Sequence, residues 1–108
     1  MTDQEFQKRA DDALTELYNK LVAAANEHEF EPDFNAGALT IEFDEPKAKF
    51  VVSPNSPVRQ IWISAHSKSY KLDWSDQEKT FVLPESGATL TGFMEGAISQ
   101  HLGEPVSL

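Results

Sequence analysis

The sequence predicts an α+β domain: a two-layer α/β sandwich with an N- and a C-terminal helix packed on one face of a five- to six-stranded, mostly antiparallel sheet. Three observations lead there. Apolar residues recur at helical spacing only near the two ends of the chain. The middle alternates apolar and polar residues in short runs, and turn-rich stretches of hairpin length separate those runs. Helices that bracket a series of hairpins cannot act as crossovers between neighbouring strands, so both belong on the same face. At 108 residues, 40% of them hydrophobic, the chain suits one domain over residues 1–108 and can bury a core.

The first helix begins at a capping box. Thr2 can accept from the backbone of Glu5 while the Glu5 side chain reaches back. Phe6, Ala10, Leu14, Leu17 and Leu21 follow at steps of four, four, three and four, with Ala13 and Ala24 widening the stripe. This spacing predicts one amphipathic helix over residues 3–25. On its opposite side Glu5, Asp12 and Glu16 fall together, with Asp11 on the flank.

After Asn26 the pattern turns to alternation. Glu27, Glu29, Glu31 and Asp33 are separated by His28, Phe30, Pro32 and Phe34, which predicts an extended strand with one acidic side, and Pro32 keeps it at a sheet edge. Asn35-Ala36-Gly37 supplies turn chemistry, and Leu39, Ile41 and Phe43 then alternate with Thr40, Glu42 and Asp44 as the second arm of a hairpin. Further strands are predicted over 49–53, 60–65, 70–73 and 80–83. Leu90, Phe93, Met94, Ala97, Ile98 and Leu102 then define a closing helix over 90–102, with Gly103 as its stop.

Charge is distributed unevenly. The formal net charge is −9, and residues 1–45 hold twelve acids against Lys8, Arg9 and Lys20, so the whole excess lies there. Such a field repels nucleic acid and anionic lipid and attracts cations or a basic protein surface. No apolar run approaches the roughly 18 to 20 residues that span a bilayer, and the acidic N-terminus does not read as a targeting signal, so a cytoplasmic protein without membrane or nucleic-acid partners is expected. The absence of cysteine excludes disulfides and thiolate metal sites, leaving oxygen or imidazole for any metal.

Catalysis finds no support: there is no Gly-x-Ser-x-Gly and no glycine-rich phosphate loop, and the acids read as convex and solvated. His28, His66 and His101 are widely spaced, fit no zinc signature and read as ordinary surface or helix-end residues. The acidic constellation has more chemical content. Glu29, Glu31 and Asp33 would project from one side of a strand at about 7 Å intervals, with Asp11, Asp12 and Glu16 on a neighbouring surface. A bound hard cation would relieve their mutual repulsion at a shallow, weakly selective site; a merely solvated face is the alternative. In 60–64, Gln60, Trp62 and Ser64 share one face and Ile61 and Ile63 the other. If the isoleucines face the helices, Trp62 stands on an open sheet face beside Arg59 and Asn55 and marks a protein-docking patch; with the register reversed it is a core residue.

These pieces resemble the frataxin family, in particular its bacterial CyaY-type members, over nearly the whole chain. The resemblance rests on the acidic first helix and on Asn35-Ala36-Gly37-Ala38-Leu39-Thr40-Ile41-Glu42-Phe43, Gln60-Ile61-Trp62-Ile63-Ser64 and Ser69-Tyr70-Lys71-Leu72-Asp73. It implies a non-enzymatic protein that binds ferrous or ferric iron weakly, with other hard divalent or trivalent cations able to substitute. It also implies docking on the cysteine desulfurase and iron–sulfur scaffold machinery, and regulation or iron supply of cluster assembly. Carried over by position, the metal ridge comprises Asp11, Asp12, Glu27, Glu29, Glu31 and Asp33, with Asp3, Glu16, Glu42 and Asp44 at its margins. The partner surface comprises Trp62 with Asn55, Arg59, Gln60 and Ser64. A monomer is expected, with metal-induced oligomers as the alternative. Leu21-Val22-Ala23-Ala24-Ala25 departs from the further acids usual at the end of the family's first helix, which shifts the expected site toward Asp11, Asp12 and the first strand.

Overall fold

Thr2 opens the chain's first element as its capping box predicts. Its hydroxyl accepts from the Glu5 N–H at 3.1 Å, and the Glu5 carboxylate accepts from the Thr2 N–H at 3.4 Å. The computed structural model describes residues 1–108 and carries this helix, α1, over Asp3–Ala24. Seven strands follow: β1 (Glu31–Asn35), β2 (Ala38–Asp44), β3 (Lys47–Asn55), β4 (Gln60–Ala65), β5 (Lys68–Ser75), β6 (Thr80–Leu83) and β7 (Ala88–Thr89). The closing helix α2 spans Leu90–Leu102, and Gly103 ends it at φ +70°, in the left-handed region that favours glycine.

Every strand lies beside the next in sequence, antiparallel throughout, so the sheet is a seven-stranded meander with β1 and β7 at its edges. Pro32 sits in the edge strand β1 opposite Ile41, where a missing N–H costs no ladder bond to a further strand. The count exceeds the expected five to six because of β7. Its two residues are too few to show alternation, and Thr89 also caps α2, its hydroxyl accepting from the Gly92 N–H at 3.1 Å. A second difference lies at β1, which starts at Glu31 and not at Glu27. The N–H groups of Asn26 and Glu27 still reach back to the carbonyls of Ala23 and Ala24, so the chain remains curled through Glu27 and becomes extended only after Phe30 is seated in the core.

Alternation along the strands sorts the sheet into two faces. Leu39, Ile41, Phe43, Phe50, Val52, Ile61, Ile63, Leu72 and Phe81 point to one side and are buried there with Phe6, Leu14, Leu17 and Leu21 of α1 and Met94 and Ile98 of α2. Phe6 meets Phe81 on β6 edge-on at 5.9 Å, and Tyr18 meets Phe34 on β1 at the same separation, so α1 crosses the sheet from one side to the other. Phe93 of α2 stacks on Tyr70 of β5 at 4.7 Å, from the same side. No polar or charged residue is buried, so the core is wholly apolar and the opposite sheet face remains open.

Candidate functional site

Cross-strand register decides which charges meet on the open face. Glu31 and Asp33 of β1 and Glu42 and Asp44 of β2 all point there and are exposed, and Glu31 stands directly opposite Glu42. Opposed side chains in an antiparallel pair have Cβ atoms about 4.5–5.5 Å apart, close enough for two carboxylates to repel. Across β2 the pattern changes sign: Lys49 faces Glu42 and Lys47 faces Asp44. The acidic strip is thus open along the β1 edge and bounded by lysine on its inner side. Two shallow depressions run along it, one lined by Glu31, Asp33, Thr40, Glu42 and Lys49, the other by His28, Glu29, Glu31, Glu42 and Asp44, and Glu31 and Glu42 belong to both.

Glu27 and Glu29, expected on the acidic side of the first strand, lie instead in the turn and bend that lead from α1 to β1. Glu29 still borders the second depression. His28 between them bonds through Nδ1 to Glu104 Oε2 at 2.6 Å, joining this loop to the C-terminal tail.

The helix carboxylates form a separate group on the other layer. Asp12 pairs with Lys8 at 3.0 Å and Glu16 with Lys20 at 3.2 Å, each one turn away on α1. Asp3 accepts from Arg59 Nη2 at 3.0 Å and Nε at 3.2 Å, tying the start of α1 to the β3–β4 connection. Asp11 makes no ion pair and borders a depression shared with Gly37 of the β1–β2 turn, which places it near the sheet edge. No three carboxylate or imidazole groups converge on a point where they could hold a metal ion. The surface offers spread oxygen donors and no preformed cage.

The strand bearing Trp62 has the register that leaves the indole on the open face, with Ile61 and Ile63 fully buried behind it. Trp62 is half-buried because its neighbours hold it. Its Nε1 donates to Gln60 Oε1 at 3.0 Å, Gln60 Nε2 donates to Asp73 Oδ1 at 2.9 Å, and Lys71 Nζ lies 4.9 Å from the ring centre. Gln60, Ser64 and Asn55 share this face, Asn55 opposite Gln60. Arg59 differs: its guanidinium is turned to Asp3 across the edge of the sandwich. Sequence reasoning missed Lys47, Lys49, Lys71 and Asp73. Each lies directly opposite a predicted site residue, so the strand register was the signal that would have found them.

Two helices on one face of an antiparallel meander, with an acidic edge and an indole on the uncovered face, define a class of small two-layer α/β sandwich with one open sheet face. Comparison with known proteins agrees. The chain matches the frataxin-like domain over residues 1–104, and it belongs to the frataxin family. Among solved structures it is similar to a frataxin from Psychromonas ingrahamii, described as a model to study stability modulation within the CyaY protein family. The TM-score is 0.79 and the identity 27%, over 99% of this chain and 97% of that one.

Proposed function

We propose that the protein binds iron weakly, as cargo, along its acidic edge and regulates or supplies iron for iron–sulfur cluster assembly by docking on the cysteine desulfurase in the cytoplasm. The observation that carries the reading is the opposition of Glu31 and Glu42, flanked by Asp33 and Asp44 on the open face. Exposed carboxylates suit hard cations, and a shared cation removes a repulsion that the fold itself imposes. Glu29 and Glu27 extend the strip toward the loop, and Asp11 approaches it at the β1–β2 turn, while Asp12, Glu16 and Asp3 lie on α1 in the other layer, engaged by Lys8, Lys20 and Arg59. Manganese, cobalt and lanthanide ions compete for the same donors, since nothing beyond oxygen discriminates among them.

Docking falls to Trp62, with Gln60, Asn55 and Ser64 around it. An indole already pinned by Gln60 and Lys71 loses little freedom on binding, which suits it to anchor an interface. Arg59 acts at the rim.

A second reading, an acidic interaction module with incidental metal binding, is favoured by the lack of any converging set of three ligands and by the pairing of Asp3, Asp12 and Glu16 within the chain. Anaerobic titration with ferrous iron at physiological salt separates the two. Selective NMR broadening at Glu31, Asp33, Glu42 and Asp44 supports the iron reading, and uniform or absent broadening supports the module.

A further inference from the structure

At the end of the sandwich where α2 terminates, four rings pack together: Phe43, Phe50, His66 and His101. His101 lies 4.3 Å from Phe43 and 5.7 Å from Phe50 between ring centres, and His66 lies 5.0 Å from Phe50. The two imidazoles are 5.3 Å apart. His101 Nε2 sits 2.7 Å from the Pro46 carbonyl oxygen. A carbonyl only accepts, so Nε2 carries the proton and donates, and in the neutral ring Nδ1 keeps its lone pair. An imidazole oriented by donating one N–H to a backbone carbonyl while presenting the other nitrogen is the usual state of a histidine metal ligand. His66 is exposed at the tip of the β4–β5 turn, so its ring has room to rotate a nitrogen toward the same point.

The separation of the rings has the right size. An ion bonded to imidazole nitrogen at about 2.0–2.1 Å lies about 3.2 Å from the ring centre, and two rings sharing one tetrahedral ion therefore have centres about 5 Å apart. Phe43 and Phe50 back the pair on the core side, leaving the remaining coordination positions to water. We propose that His66 and His101 form a two-imidazole site for a borderline divalent cation of the zinc class, distinct in ligand chemistry from the carboxylates of the β1–β2 edge. The third histidine, His28, is engaged by Glu104 and takes no part. The chain has no thiolate to compete for such an ion, and imidazole suits zinc, copper and nickel better than carboxylate oxygen does.

Zinc chloride titrated into the full chain at neutral pH, with the imidazole C–H resonances followed by NMR, tests this. The resonances of His66 and His101 should move together to a plateau at one ion per chain while those of His28 stay in place. His66→Ala should weaken binding at least about tenfold and abolish the zinc response of His101. A double Glu31→Gln, Glu42→Gln variant should keep the response. His101→Ala removes a ring that packs on Phe43, so a lowered melting temperature is expected of it; His66→Ala gives up one exposed ring's contact with Phe50 but leaves the contacts of His101 with Phe43 and the Pro46 carbonyl in place, so it decides the question. A His101 response that saturates unchanged without His66, a response centred on His28, or its loss in the double glutamine variant would overturn the assignment.

Discussion

Glu31 and Glu42 face each other across the outermost pair of strands, and the only cation opposite either of them is Lys49, on the far side of Glu42. Like charges directly opposed in a sheet destabilise it. The edge is therefore held by its apolar face: Leu39, Ile41 and Phe43 are buried, and Phe34 packs on Tyr18. A sheet edge that retains charge repulsion while its core side is well packed can change its charge without changing its fold.

Glu31→Gln should raise stability by about 0.2–1 kcal/mol at low ionic strength, since it removes one side of the repulsion and no buried contact. The gain should shrink as salt screens the wild-type pair. Thermal melting across a salt series checks the sign. The same variant should weaken iron binding, so stability and affinity move in opposite directions; a parallel loss of both would show that Glu31 makes a structural bond.

Ala36 and Gly37 connect β1 to β2 with φ of +54° and +79°. A two-residue hairpin with both angles positive favours Asn-Gly, and alanine in the left-handed region costs about 1–2 kcal/mol. Ala36 is exposed. Ala36→Asn should therefore stabilise the protein by about 1 kcal/mol in denaturant unfolding, with no effect on metal or partner binding.

The C-terminal tail folds back on α2. Val106 is buried, its N–H donates to Ser99 Oγ at 2.9 Å, and the Leu108 N–H donates to Glu95 Oε2 at 2.8 Å. Val106→Ala removes two buried carbons at about 0.8 kcal/mol each and should cost about 1.6 kcal/mol. Removal of residues 104–108 should cost more, because it also breaks the His28–Glu104 contact. Melting temperatures of the two variants, in that order below the parent, check the prediction.

Much of this was legible in the sequence, for definite reasons. Helix ends carry their own chemistry, so Thr2 with Glu5 and Gly103 marked the limits of α1 and α2 to within a residue. Strand faces follow from period-two alternation, so the open-face position of Trp62 could be inferred from Ile61 and Ile63, though only as one of two registers. Partners across the sheet were not legible. Glu31 opposite Glu42, Lys71 over Trp62 and Arg59 on Asp3 depend on register and on packing between distant segments, which local pattern does not encode. The misplacement of Glu27 and Glu29 has a different cause: their alternation with His28 and Phe30 imitates a strand, while the backbone bonds that continue α1 keep the chain curled there.

The last prediction separates docking from folding on one strand. Trp62 is half-buried and held by a hydrogen bond from its ring nitrogen and by Lys71 above the ring, together worth about 1–2 kcal/mol. Trp62→Ala should therefore cost less stability than the roughly 3–5 kcal/mol of emptying a buried aromatic site, yet weaken desulfurase binding by about 2 kcal/mol or more. Ile61, fully buried behind it, should behave in the opposite way. Ile61→Ala opens a cavity and should cost about 2–5 kcal/mol of stability, while the molecules that remain folded bind normally. Each variant controls for the other, because they occupy adjacent positions on opposite faces of β4. Thermal melting combined with a desulfurase binding assay reads both quantities. Equal losses of binding from the two substitutions, after correction for the folded fraction, would mean that the partner responds to the shape of the strand and not to the indole, and Trp62 would lose its place as the anchor of the interface.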